Sequence, residues 1–199
     1  MAWKPLPIGV DNFEELITKD YFFVDKTLFI RDLLDMKGEV NLFTRPRRFG
    51  KTLNMSMLRY FFEMEEDNAG RLFPVISLTL KSMKQATWEL SFEMLKKAIR
   101  EEYSRHWKTV EASGRLNDAD RERFQRIRDL KGTDADYADA LKFLSECLYI
   151  CTGRKTIILI DEYDVPLENA HFAGFYEQMT ALLRSLFESA LKTNENLEF

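Results

Sequence analysis

Gly50, Lys51 and Thr52 have the types and the order of a phosphate grip, and they follow a basic turn, Arg45-Pro46-Arg47-Arg48-Phe49. A phosphate-binding loop needs a strand, a tight turn that aims backbone N–H groups at the ligand, a lysine that reaches the outer phosphates, and a hydroxyl for Mg²⁺ at the start of a helix. Each part has a candidate. Residues 40–44 read as the strand; Gly50 allows close backbone approach, Lys51 brings the ammonium and Thr52 the hydroxyl. The helix expected from Thr52 turns its positive end towards the phosphates. Arg45 stands where the general loop pattern has its first glycine, and an arginine before Pro46 is held extended.

A phosphate loop also calls for an apolar strand ending in an acid that holds Mg²⁺ through water. Ile157, Ile158, Leu159 and Ile160 running into Asp161 meet that demand. Glu162, one residue further, is placed to orient and deprotonate an attacking water. The plainer reading is a polar strand end. Two motifs in the right order, each closing an apolar strand and opening into a connection, argue against it. Arg47 and Arg48 suit phosphate-side roles; without alternating aromatic residues they do not make a groove for a nucleic-acid strand. Arg184, in the last helical stretch, is a candidate charge-stabilising arginine, a solvated helix face being the plainer alternative.

The elements that must hold these groups alternate. Short helical signals at residues 11–17 and 25–38, the first with Asp11 or Asn12 as N-cap, precede the loop strand. After the loop, Leu53, Met57, Tyr60, Phe61 and Met64 recur at helical spacing, which reads as core packing rather than methionine chemistry. Residues 74–80 form a second apolar run rich in β-branched types, as in a strand covered on both faces. Helical patterns follow at 87–107, within the charged section 108–133, and at 134–151. The strand at 157–160 comes next, then a last helix at 174–192. Strands alternating with helices predict an α/β fold with a mostly parallel sheet flanked by helices.

Composition bounds the rest. A chain of 199 residues, 45% apolar and 31% charged, suits one domain spanning 1–199. With 29 basic against 33 acidic residues, the net charge of -4 gives no global pull to nucleic acid or anionic membrane, so any basic function is local. Cys147 and Cys151 read as reduced core thiols; neither His106 nor His171 is near enough in sequence to suggest zinc. No signal peptide and no membrane-length apolar run is present, so the expected compartment is the cytoplasm.

The stretches FVDKTLFIRDLL, NLFTRPRRFGKTLNMSMLRYFF and TIILIDEYDVPLENA together resemble the bacterial AAA-ATPase-like domain family, whose phosphate loop is commonly Arg-Pro-Arg-Arg-Phe-Gly-Lys-[Ser/Thr]. The resemblance covers nearly the whole chain. It implies a P-loop NTPase fold with ATP and Mg²⁺ as cofactors. Arg47, Arg48, Phe49, Gly50, Lys51, Thr52 and Leu53 are then the nucleotide contacts, Thr52 and Asp161 the metal ligands, and Glu162 and Lys51 the catalytic pair. It further implies a core strand after Phe199, lying between the strand of Asn41 and that of Ile158, so the chain reads as the N-terminal portion of its domain. Full-length relatives often add a C-terminal nuclease-like domain, through which a protein or nucleic-acid partner is expected. The expected activity is Mg-dependent ATP binding and, in the complete domain, hydrolysis. The alternatives are a non-hydrolysing nucleotide switch or interaction module, and a nucleic-acid-associated protein; no Asn-Lys-x-Asp guanine-reading motif argues for GTP.

Overall fold

Two runs of aliphatic residues make the sheet: β1 (Val75–Thr79) and β2 (Ile157–Asp161) pair in parallel, with Val75 opposite Ile157 and Thr79 opposite Asp161. Parallel neighbours require a long crossover, and the helices between the two strands supply it. The computed structural model describes residues 3–36, 38–44, 49–63 and 73–199.

In chain order, α1 (Phe13–Thr18), α2 (Leu28–Met36) and α3 (Lys51–Phe62) precede β1; α4 (Trp88–Ser113), α5 (Asp118–Arg128), α6 (Asp134–Ala138) and α7 (Ala140–Thr152) form the crossover. After β2 come α8 (Val165–Ala173) and α9 (Tyr176–Leu191). Side chains alternate across a strand, and the core divides accordingly. Ile76, Leu78 and Ile158 point to a large core built with α4, α7 and α9. Val75, Ile157 and Leu159 point to a smaller one with Ile30 and Leu33 of α2 and Met57 and Leu58 of α3. The sheet is therefore sandwiched between two helical layers.

The edge of β1 that faces away from β2 is closed by side chains of α4. Ser77 N–H donates to Glu102 Oε2 at 2.9 Å, and His106 Nε2 lies 3.1 Å from the Val75 carbonyl. Arg105 bonds the same carbonyl, Glu63 on the end of α3, and Glu102 at 2.6 Å. Burial pushes the Glu102 carboxyl up to about 7, against the hydrogen bond from Ser77. Burial first, and then the charge of Arg105, drive His106 down to about 3, so its imidazole is neutral.

The other edge of β2 is met by residues 196–199. Thr156 N–H donates to Asn196 O at 2.7 Å, Glu198 N–H to Thr156 O at 2.9 Å, and Ile158 N–H to Phe199 O at 3.1 Å. Thr156 and Leu197 form a parallel bridge there. Further along β2 this edge borders a cavity of about 310 Å³, whose far wall is Asn41, Leu42 and Phe43.

That cavity accounts for a correction to the expected sheet. Residues 40–44 do not form a strand, and Val40 and Leu42 are 54% and 68% exposed. A strand is defined by its ladder, and the space beside this segment holds a cavity where a neighbour would have to lie. Among the described residues the sheet thus has two strands rather than the larger one expected. Smaller differences follow local chemistry. α2 starts at Leu28 because Asp25 binds the N–H and hydroxyl of Thr27 in a turn ahead of it. The predicted 134–151 helix breaks at Asp139, where φ is -120°. α4 continues to Ser113, where Gly114 ends it in the left-handed region at φ 60°. The helix α8 was not expected, although Pro166 in its first turn and Gly174 just after its end mark it. Met64, placed on the α3 stripe by its spacing, lies outside the described residues.

Candidate functional site

The start of α3 and the end of β2 converge on the cavity. Gly50 precedes α3 at φ 75°, ψ 27°, a conformation that costs a residue with a Cβ about 1 kcal/mol or more. The turn hands the chain into the helix, where Asn54 N–H donates to Gly50 O at 2.9 Å. Lys51, the first helical residue, lines the cavity. From the other side, β2 ends in Asp161 and Glu162, both lining it too.

Glu162 is itself left-handed at φ 54°. Its N–H donates to Asp161 Oδ1 at 2.9 Å, and its carbonyl accepts from Val165 N–H at 3.2 Å, so the chain turns sharply from strand to α8. Tyr163 and Asp164 of that turn line the cavity as well. The deeper walls are apolar, with Phe29 and Leu33 from α2 and Met55 and Leu58 from α3. Lys51 and four carboxylates, Glu39, Asp161, Glu162 and Asp164, therefore stand around a largely apolar space, a setting in which charge interactions are less screened than in water.

The structure brings Lys51, Asp161 and Glu162 to one cavity, with Gly50 adjoining. It does not bring all the expected residues there. Thr52 is exposed and not among the lining residues, Phe49 is 57% exposed, and Leu53 packs with the smaller core. Arg184 is exposed on α9 and does not line the cavity. Arg45, Pro46, Arg47 and Arg48 lie outside the described residues. Sequence reasoning missed Tyr163 and Asp164, whose role in the wall follows from the unpredicted turn into α8. It also missed Lys26: a Cβ built on Gly50 would lie 3.6 Å from the Lys26 Nζ. The two are far apart in sequence, and the folded chain brings them together.

With this geometry in hand, comparison with known proteins is specific. The family of predicted AAA-ATPases matches residues 7–199. The chain belongs to that family. This AAA-ATPase-like chain is also similar to an uncharacterized protein in the vnfD 5′ region of Azotobacter chroococcum mcd 1, at 26% identity over 223 residues. That match covers 100% of the chain and 37% of the relative, so the chain spans little more than a third of the relative's length. No solved structure matches it.

Among the described residues of the AAA-ATPase-like chain, no group of three or more His, Cys, Asp or Glu side chains is arranged to hold a metal by itself. Mg²⁺ does not need such a cage: it commonly takes one or two carboxylates and completes its shell with waters and substrate phosphates. Asp161, with Glu162 and Asp164 beside it, provides hard oxygen donors of that kind at the cavity. The soft ligands are elsewhere. Cys147 and Cys151 are buried free thiols on α7, and burial pushes the Cys147 thiol up. His106 is committed to the edge of β1, and His171 is exposed on α8.

Proposed function

We propose that this AAA-ATPase-like chain binds ATP with Mg²⁺ between the start of α3 and the end of β2, and that the complete domain hydrolyses it. The observation that carries the reading is that Lys51 and the Asp161-Glu162 pair wall the same cavity. Lys51 offsets charge on the β and γ phosphates, and the αL turn at Gly50 lets the backbone approach them. Asp161 would hold the metal from the cavity wall, and the Thr52 hydroxyl, exposed in the first turn of α3, would have to turn towards it to serve as the second ligand. Bound Mg²⁺ supplies charge neutralisation at the phosphates. Glu162 accepts the proton of the water that attacks the γ phosphorus, and the bond from that phosphorus to the β–γ bridging oxygen breaks, leaving ADP and inorganic phosphate. Phe49, Leu53, Arg47 and Arg48 complete the nucleotide contacts in this reading.

A protein or nucleic-acid partner is part of this proposal. No helix among the described residues is long and apolar enough to cross a membrane. Titration calorimetry with Mg-ATP and a phosphate-release assay test the reading. The expected results are measurable binding, a loss of at least about tenfold in Lys51→Ala, and release abolished in Glu162→Gln with binding kept. Binding without release, unchanged in Glu162→Gln, would establish a nucleotide switch instead. No binding at all would overturn the nucleotide assignment.

A further inference from the structure

Lys26 and the start of α3 both put positive charge at the Gly50 turn. Lys26 Nζ lies beside Gly50, 3.6 Å from where a Cβ would be, on the turn that leads into Lys51. Lys51 follows immediately, and the N-terminal end of α3 adds its partial charge. Lys26 is exposed and makes no ion pair among the described residues. The neighbouring carboxylate does not serve it, since Asp25 Oδ1 accepts from Thr27 N–H at 2.8 Å and from the Thr27 hydroxyl at 2.7 Å.

The Lys26 backbone is also fixed. Lys26 O accepts Phe29 N–H at 3.0 Å, and Ile30 and Leu33 of α2 pack in one core with Met57 and Leu58 of α3. The Lys26 backbone is thereby tied to the helix that Gly50 opens. Lys26 has no ion-pair partner among the described residues, and a polyanion at the turn gives it one.

We propose that Lys26 is a second phosphate-binding lysine, which contacts the triphosphate from the α2 side of the Gly50 turn while Lys51 contacts it from the cavity side. The inference rests on the nucleotide reading above. A compact point charge suits phosphate oxygens, and a flexible four-carbon stem lets it follow them.

The test measures affinity for Mg-ATP and for inorganic triphosphate in the full chain, with the ligand-free melting temperature recorded for each variant. Lys26→Ala is expected to weaken both ligands by the same factor, about tenfold, while Lys26→Arg recovers most of the loss and neither change moves the melting temperature. Equal loss for the base-free ligand identifies the phosphates as the contact. If Lys26→Ala binds Mg-ATP like the parent chain while Lys51→Ala does not, the Lys26 proposal falls and the nucleotide reading stands. A loss confined to ATP, or one that tracks a lowered melting temperature, also overturns it. If the parent chain binds neither ligand, both fall together.

Discussion

Glu162 occupies a backbone conformation that an L-residue adopts at a cost of about 1 kcal/mol or more, at φ 54° and one residue past the end of β2. The strain is kept where the carboxylate lines the cavity, so the site holds a geometry that folding alone does not favour. Comparing two variants separates geometry from chemistry. Glu162→Gly and Glu162→Ala both lack the carboxylate and should both lose phosphate release, but only glycine relieves the backbone. The glycine variant should melt higher than the alanine variant by roughly 2–4 °C for each kcal/mol of strain removed. Calorimetric melting checks this, and equal melting temperatures would show that the turn carries no strain. At this scale Lys51, Asp161 and Glu162 were legible because a loop lysine and a strand-end acid are marked by their local context. Lys26 was not, because its neighbour Gly50 is distant in sequence and is reached only in the folded chain.

Among the elements, α4 has a second task besides filling the crossover: Glu102, Arg105 and His106 answer the outward N–H of Ser77 and carbonyl of Val75. The pH dependence of stability should carry the mark of this contact. The imidazole of His106, at about 3 folded against an ordinary 6.5, binds its proton more readily in the unfolded chain, so its contribution is present above 6.5 and lost as pH falls towards 3. Glu102, at about 7 against an ordinary 4.5, acts in the opposite sense, and stability falls as pH rises from 4.5 through 7. The two slopes oppose each other between 4.5 and 6.5; below 4.5 His106 continues to drive a loss, joined by carboxyls such as Asp136 that hydrogen bonds hold below the usual range. Urea titrations of His106→Gln, whose amide N–H can still reach the carbonyl, should show a flatter acid limb below pH 4.5 than the parent; an unchanged limb would refute the assignment. β1 and β2 were readable in advance because their aliphatic runs are buried on both faces, whereas residues 40–44 carried the same apolar signal and form no strand. Apolar character depends on the residues themselves, while strand pairing depends on what lies alongside.

For the molecule as a whole, the cavity stands at the boundary of the smaller core, with Leu33 and Leu58 belonging to both. A ligand held there ties α2, α3 and β2 together, and binding to the folded state alone should raise its stability. At 100 times the dissociation constant the gain is about 2.7 kcal/mol, or roughly 5–10 °C in melting temperature for a chain of this size. Scanning calorimetry with and without Mg-ATP measures it, and Lys51→Ala should lose most of the shift. A shift that persists undiminished in that variant would place the ligand elsewhere.

The cover that α4 lays over the outer edge of β1 reaches past pH behaviour. Charged side chains occupy the backbone groups through which another chain could add on that side, so lateral growth, including unwanted sheet-to-sheet aggregation, is blocked there. Any further strand must join at β2, alongside the acids that close the cavity. Enlarging the sheet there would reshape the cavity at the same time.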